Sequence, residues 1–139
     1  MTVHGRPLPL PASTVRRVVS AVLAGERRRA GASTAVSVSF LGPLRMRRLN
    51  AEYKGHDRPT DVLSFSLQSP DGPRLADVYI CTAVAKREAR ARRIPVREEL
   101  IRLIVHGTLH ALGYDHPEDE RRERSAMWRR QERYVEVLA

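Results

Sequence analysis

The sequence predicts an α+β fold, a single domain in which a small mixed four-stranded sheet is packed by about five helices. Two patterns carry this. Apolar alternation at period two lies mainly in the first two-thirds of the 139 residues, whereas helical periodicity and dense charge fill the last third. No internal repeat or long linker divides the chain, and its length suits one domain over residues 1–139.

Residues 2–10 read as a short strand that Pro7, Pro9 and Pro11 confine to a sheet edge. Ser13 reads as the N-cap of a helix with Val15, Val18, Val19, Val22 and Leu23 on one face, ending near Gly25. Ala35 to Leu41 alternates as a half-buried strand. Pro43 opens a helix to Tyr53, and Gly55 to Pro59 is a loop. Val62 to Leu67 is a strand with Leu63, Phe65 and Leu67 on one face. The turn signal Ser69-Pro70-Asp71-Gly72-Pro73 joins it in a hairpin to Leu75–Cys81. Thr82 caps a helix to about Arg93, and Pro95 opens another through Leu112, stopped by Gly113. Glu98 and Glu99 lie in its first turn, where the helix dipole favours negative charge. A last, charge-dense helix is expected from about Pro117 to Val137, with Met127 and Trp128 on its apolar stripe.

A content of 42% hydrophobic and 29% charged residues describes a soluble globular protein rather than a disordered one. The net charge of +9 suits an anionic partner, RNA or an anionic surface. Lys54 and Lys86 are the only lysines, an arginine bias that can reflect genome composition, so charge supports nucleic-acid binding without carrying it alone. Cys81 stands alone and excludes an intramolecular disulfide; it reads as a small core residue. No apolar run approaches the ~20 residues of a membrane helix, and Met1 to Leu10 lacks a signal-type apolar core. A cytoplasmic location without a membrane partner is expected.

The chemistry concentrates in His106-Gly107-Thr108-Leu109-His110-Ala111-Leu112-Gly113-Tyr114-Asp115-His116. Histidines four apart on a helix share a face, and a glycine exit lets His116 swing back as a third ligand. Three imidazoles with one open position describe a catalytic zinc site, one Zn2+ per chain. A lone histidine pair is usually surface or core, but three of five histidines inside this segment make accident a poor account. The spacing equals that of H-E-x-x-H-x-x-G-x-x-H metalloproteases, with Gly107 where their glutamate base stands. Ordinary protease chemistry is therefore not expected. His4 and His56 lack such company and receive no role.

This segment resembles the hallmark H-G-x-L-H-x-x-G-Y-D-H of the YbeY family of bacterial endoribonucleases. Pro59-Thr60-Asp61-Val62-Leu63-Ser64-Phe65 matches a second family signature, and Leu49-Asn50 with Tyr53 a third. The resemblance implies a small sheet flanked by helices, a three-histidine metal site and cleavage of single-stranded RNA. It also implies 16S rRNA 3′-end processing and ribosome quality control in the cytoplasm, with rRNA, the ribosome or its small subunit as partner and no DNA. Four positions depart: Lys54 replaces an arginine, Arg102 a histidine, Ala76 a glycine and Ser66 a proline.

Lys54 is expected to meet the scissile phosphate as a catalytic and substrate-binding cation, and Arg58 to contact RNA phosphate; both would otherwise be solvated loop residues. Asp61 reads as a turn cap, and Tyr114 as packing or support for the ligands. Asp115 reads either as a partner orienting an imidazole or as a helix cap. Arginine-rich stretches at 26–29, 87–93 and 121–130 read as solvated faces, one of them a candidate guide for RNA. Two rivals stand beside the ribonuclease: a metallohydrolase of another substrate class, and a non-catalytic ribosome assembly factor with a structural metal.

Overall fold

The computed structural model describes residues 1–30, 34–68 and 70–139. Its elements run β1 (Thr2–His4), α1 (Ala12–Gly25), α2 (Arg27–Ala30), β2 (Thr34–Leu41), α3 (Pro43–Lys54), β3 (Val62–Gln68), β4 (Arg74–Cys81), α4 (Thr82–Arg92), α5 (Val96–Ala111) and α6 (Ala126–Leu138). A 3-10 turn at Glu120–Arg124 precedes α6. The four strands lie in the order β1-β2-β4-β3, with β3 antiparallel to β4 and the other pairings parallel. The expected mixed sheet and its hairpin are therefore present.

Strand alternation decides the layers. Val36, Val38 and Phe40 of β2 stand opposite Ala76, Val78 and Ile80 of β4. All six are buried on the face covered by α1 and α5, where Val15, Val18, Val19 and Val22 meet Leu100, Ile101, Ile104 and Val105. Each such side chain contributes roughly 1.5–3 kcal/mol by leaving water. Leu41, Leu63 and Cys81 point to the other face and pack with Met46 of α3 and Val84 of α4. α5 touches α1, α4, α6 and both hairpin strands, so it is apolar almost all round.

Gly107 sets how closely α5 approaches the hairpin. A Cβ built there would lie 2.4 Å from Val78 Cγ1 and 3.1 Å from Ser64 Oγ. The Ser64 hydroxyl donates to the Gly107 carbonyl at 2.8 Å, tying the 59–65 signature to the histidine helix.

Several boundaries differ from expectation. β1 stops at His4, because the prolines that follow cannot donate to a ladder. α1 begins at Ala12 with Pro11 in the cap position, so Ser13 is in its first turn and caps nothing. Thr82 heads α4 rather than capping it, and Pro95 precedes α5 as its cap residue. Leu67 is exposed beyond the covered part of β3. Ser69 of the turn signal lies outside the described residues. The last helix begins at Ala126, not near Pro117. The Asp119 carboxylate accepts from Arg121 N and holds a 3-10 turn, and the Ser125 hydroxyl accepts from Trp128 N at 3.1 Å as the true N-cap. Among the described residues no helix is long and apolar enough to cross a membrane.

Candidate metal centre and its cleft

His106 and His110 share one face of α5, their rings nearly parallel with centroids 6.1 Å apart. The helix then ends through Gly113 at φ 101°, a conformation suited to glycine. Gly113 N donates to His110 O and Tyr114 N to Leu109 O, which closes the last turn. The reversal returns His116 to 4.9 Å from His106 and 5.9 Å from His110, centroid to centroid. The structure thus brings together the three histidines that spacing singled out.

Two of the rings are oriented by oxygen acceptors. His106 Nδ1 lies 2.7 Å from Gln131 Oε1, and Gln131 Nε2 donates to Glu132 Oε2 at 3.0 Å. With its amide nitrogen committed to Glu132, Gln131 presents oxygen to His106, so the proton sits on Nδ1 and the Nε2 lone pair is free. Arg102 holds Glu132 by two bonds of 2.9 Å each. The arginine that departs from the family pattern therefore braces the orientation of a histidine. His116 Nδ1 lies 2.9 Å from Pro117 O, which frees its Nε2 in the same way.

Burial pushes the His106 imidazolium down to about 4 despite the Gln131 bond, and burial likewise lowers His110. His106 is therefore neutral at pH 7 and His110 is biased the same way, the form in which imidazole binds a metal. His110 Nδ1 is buried without a hydrogen-bond partner. Imidazoles bound about 2.1 Å from one tetrahedral ion would hold their ring centres roughly 5 Å apart. One observed pair matches that and the others are wider. Among the described residues no three His, Cys, Asp or Glu side chains are already closed into a coordination set. The freed Nε2 atoms of His106 and His116, with the His110 ring beside them, nonetheless fit an imidazole-seeking ion.

These rings open into a polar cleft of about 530 Å³, also lined by Asn50, Lys54, His56, Arg58, Asp115 and Arg122. Lys54 ends α3 beside Gly55, whose φ of 73° turns the chain. Asn50, buried, donates through Nδ2 to Arg58 O at 2.9 Å, and Arg47 grips Asp57 at 2.8 and 3.1 Å. These contacts set the loop carrying Lys54 and Arg58 along the cleft. Asp61 caps its own turn, accepting from Val62 N at 2.8 Å. Asp115 accepts from the His116 backbone N–H at 2.8 Å. It orients the main chain of His116, whereas the ring's partner is Pro117.

Gln131 has no role in the sequence reading, whereas His56, given none there, and Arg122, read as part of an arginine-rich face, both line the cleft. Gln131 had a signal: a polar residue in the i, i+4, i+8 stripe with Met127 and Val135, and only 1% exposed. Trp128 leaves that stripe and stands between Arg92 and Arg122, its centroid 6.0 and 5.8 Å from their guanidinium carbons.

The turn leading to His116 is clamped from the N-terminal half. Buried Glu26 accepts from the Tyr114 and Tyr134 hydroxyls and from Arg130 Nη1 at 3.1 Å, while Arg29 and Arg130 cover the Tyr114 ring. Burial works to raise the Glu26 pKa, but these donors outweigh it and hold the carboxyl below its usual 4.5. A depressed carboxylate stabilises the fold above its unfolded-state pKa and loses that contribution as pH falls through the folded value. Glu26→Gln is expected to cost on the order of 2–3 kcal/mol at neutral pH, with the gap to wild type closing on acidification. Thermal midpoints of both proteins from neutral to acid pH test this; a gap independent of pH contradicts it.

The profile of the Endoribonuclease YbeY family matches residues 7–139. An Endoribonuclease YbeY of Alkalilimnicola ehrlichii is 43% identical over 118 residues, covering 81% of this chain and 70% of that protein. Another from Anaeromyxobacter sp. is 48% identical over 95 residues, 66% of this chain and 50% of that protein, so the match spans half of that relative. The solution structure of TM1509 from Thermotoga maritima superposes with a TM-score of 0.61 at 28% identity, covering 99% of this chain and 89% of that one. Fold, cleft and matches define the class, a small hydrolase of the endonuclease type. Within that class the chain belongs to the YbeY endoribonuclease family.

Proposed function

We propose that this chain is a zinc-dependent endoribonuclease of single-stranded RNA, acting in the cytoplasm on rRNA at the ribosome or its small subunit. The proposed roles are 16S rRNA 3′-end maturation and ribosome quality control. The observation that carries the reading is the convergence of three imidazoles, His106 kept neutral by burial, at the wall of a cleft lined by Lys54, Arg58 and Arg122. His106, His110 and His116 would hold the ion through Nε2, and such an ion supplies Lewis-acid polarisation of a phosphoryl oxygen. Lys54 neutralises charge developing on that phosphate, and Arg58 grips phosphate along the strand. Peptide hydrolysis is disfavoured on packing grounds, since position 107 faces Val78 of the sheet and leaves no room for a carboxylate base.

Lys54→Ala is expected to slow RNA cleavage by about 2–4 kcal/mol in transition-state stabilisation, with metal content unchanged because an ammonium is no ligand. Lys54→Arg is expected to keep or raise the rate, its planar fork being better matched to phosphate. Cleavage rates and elemental analysis of the two variants test this. An alanine variant that cuts RNA normally at full zinc occupancy reduces Lys54 to a solvated loop residue.

A further inference from the structure

A second cleft, of about 370 Å³, adjoins the first and shares Arg58, Thr60, Asp61, His106 and Arg122 with it. Buried side-chain atoms without hydrogen-bond partners gather around it. Among the described residues there are five, Arg74 Nη1, Glu99 Oε2, Arg102 Nη1, His110 Nδ1 and Arg122 Nε. Glu99, Arg102 and Arg122 all line this second cleft. Glu99 is 4% exposed, and its Oε2 faces Arg102 Nη1 at 3.9 Å as a loose ion pair, beyond hydrogen-bond reach, so each atom keeps an unfilled hydrogen-bonding position. A buried polar atom without a hydrogen bond is costly, so three around one cleft call for a partner.

The chemistry of the three atoms narrows that partner. They comprise one acceptor and two donors. A phosphate brings acceptors alone and is repelled by the Glu99 carboxylate, and an apolar group satisfies none of them. The edge of a nucleobase carries donors and acceptors side by side. Arginine planes and an aromatic ring, here Arg92, Arg122 and Trp128, are the surfaces on which unpaired bases lie. We infer that the second cleft is a base-binding subsite in which Glu99, Arg102 and Arg122 hold the base of a nucleotide flanking the scissile phosphate. The inference rests on the ribonuclease reading above and adds to it where the strand goes after leaving the histidines.

The test is equilibrium binding of short fluorescent single-stranded RNAs, each carrying one abasic position stepped along the strand. One position beside the cut is expected to weaken binding about tenfold when its base is removed, and its neighbours far less. Glu99→Gln and Arg122→Gln are expected to weaken intact RNA by a similar factor and to leave the RNA abasic at that position bound as by wild type. A flat abasic scan, or an equal penalty on intact and abasic RNA, overturns the subsite while leaving the ribonuclease intact. Should Glu99→Gln fail to fold, Arg122→Gln, on the surface 3-10 turn, completes the same cycle. Wild-type protein that neither binds nor cuts single-stranded RNA overturns the ribonuclease reading, and the subsite with it.

Discussion

Gly107→Ala is expected to lose on the order of 1–3 kcal/mol of stability, a fall in thermal midpoint of roughly 3–10 °C. The new Cβ would lie 2.4 Å from Val78 Cγ1, 3.1 Å from Ser64 Oγ and 3.3 Å from Val62 Cγ2. Val78 is fully buried at the middle of β4 and has nowhere to retreat, so α5 must move off the hairpin. That motion would also break the Ser64 bond to the Gly107 carbonyl. Gly107→Glu, which restores the protease motif, would add a buried unpaired carboxylate to the same clash and is expected to abolish folding rather than create a peptidase. Thermal unfolding of the alanine variant and a casein assay on the glutamate variant check both. An alanine variant with a wild-type midpoint contradicts the packing account.

His106→Ala is expected to lose bound metal and to reduce RNA cleavage by about a hundredfold or more. The expectation separates a ligand from its support. Gln131 holds His106 through Nδ1 at 2.7 Å and touches no metal in this account. Gln131→Ala should weaken metal affinity about 10–100-fold, as loss of a ligand's orienting partner does elsewhere, while cleavage returns when zinc is saturating. Zinc titration and cleavage rates at low and high zinc distinguish the two. A Gln131 variant that stays inactive at saturating zinc would assign the residue a role beyond orientation.

Local rules carry the sheet and most helices. Alternation at 35–41, the strand pattern at 75–81, the turn residues at 70–73 and the glycine exit at 113 are short-range signals, and the structure follows them. They failed at 117–125, where a run of strong helix formers suggested one long helix. Asp119 and Ser125 instead offer side-chain acceptors to the backbone, and capping wins over propensity within a few residues. The three histidines were legible because their spacing is set by one helix and one turn. Their supports were not, because those are tertiary. Tyr114 and Glu26 lie 88 residues apart, His106 and Gln131 25, and no pattern within a window links either pair. Arg102, visible in sequence only as a departure, gains its meaning from Glu132 across the α5–α6 interface. Trp128 was misplaced for the converse reason, an aromatic at an apolar-looking position drawn outward by two arginines.

Whether a metal held by His106, His110 and His116 cuts RNA is decided by cleavage of single-stranded rRNA by the purified chain as isolated, after chelation and after zinc is restored, beside His110→Ala. The expected result is cleavage that chelation abolishes, zinc restores and His110→Ala lacks at every zinc level. Cleavage that persists undiminished through chelation, or in the His110 variant, would contradict it.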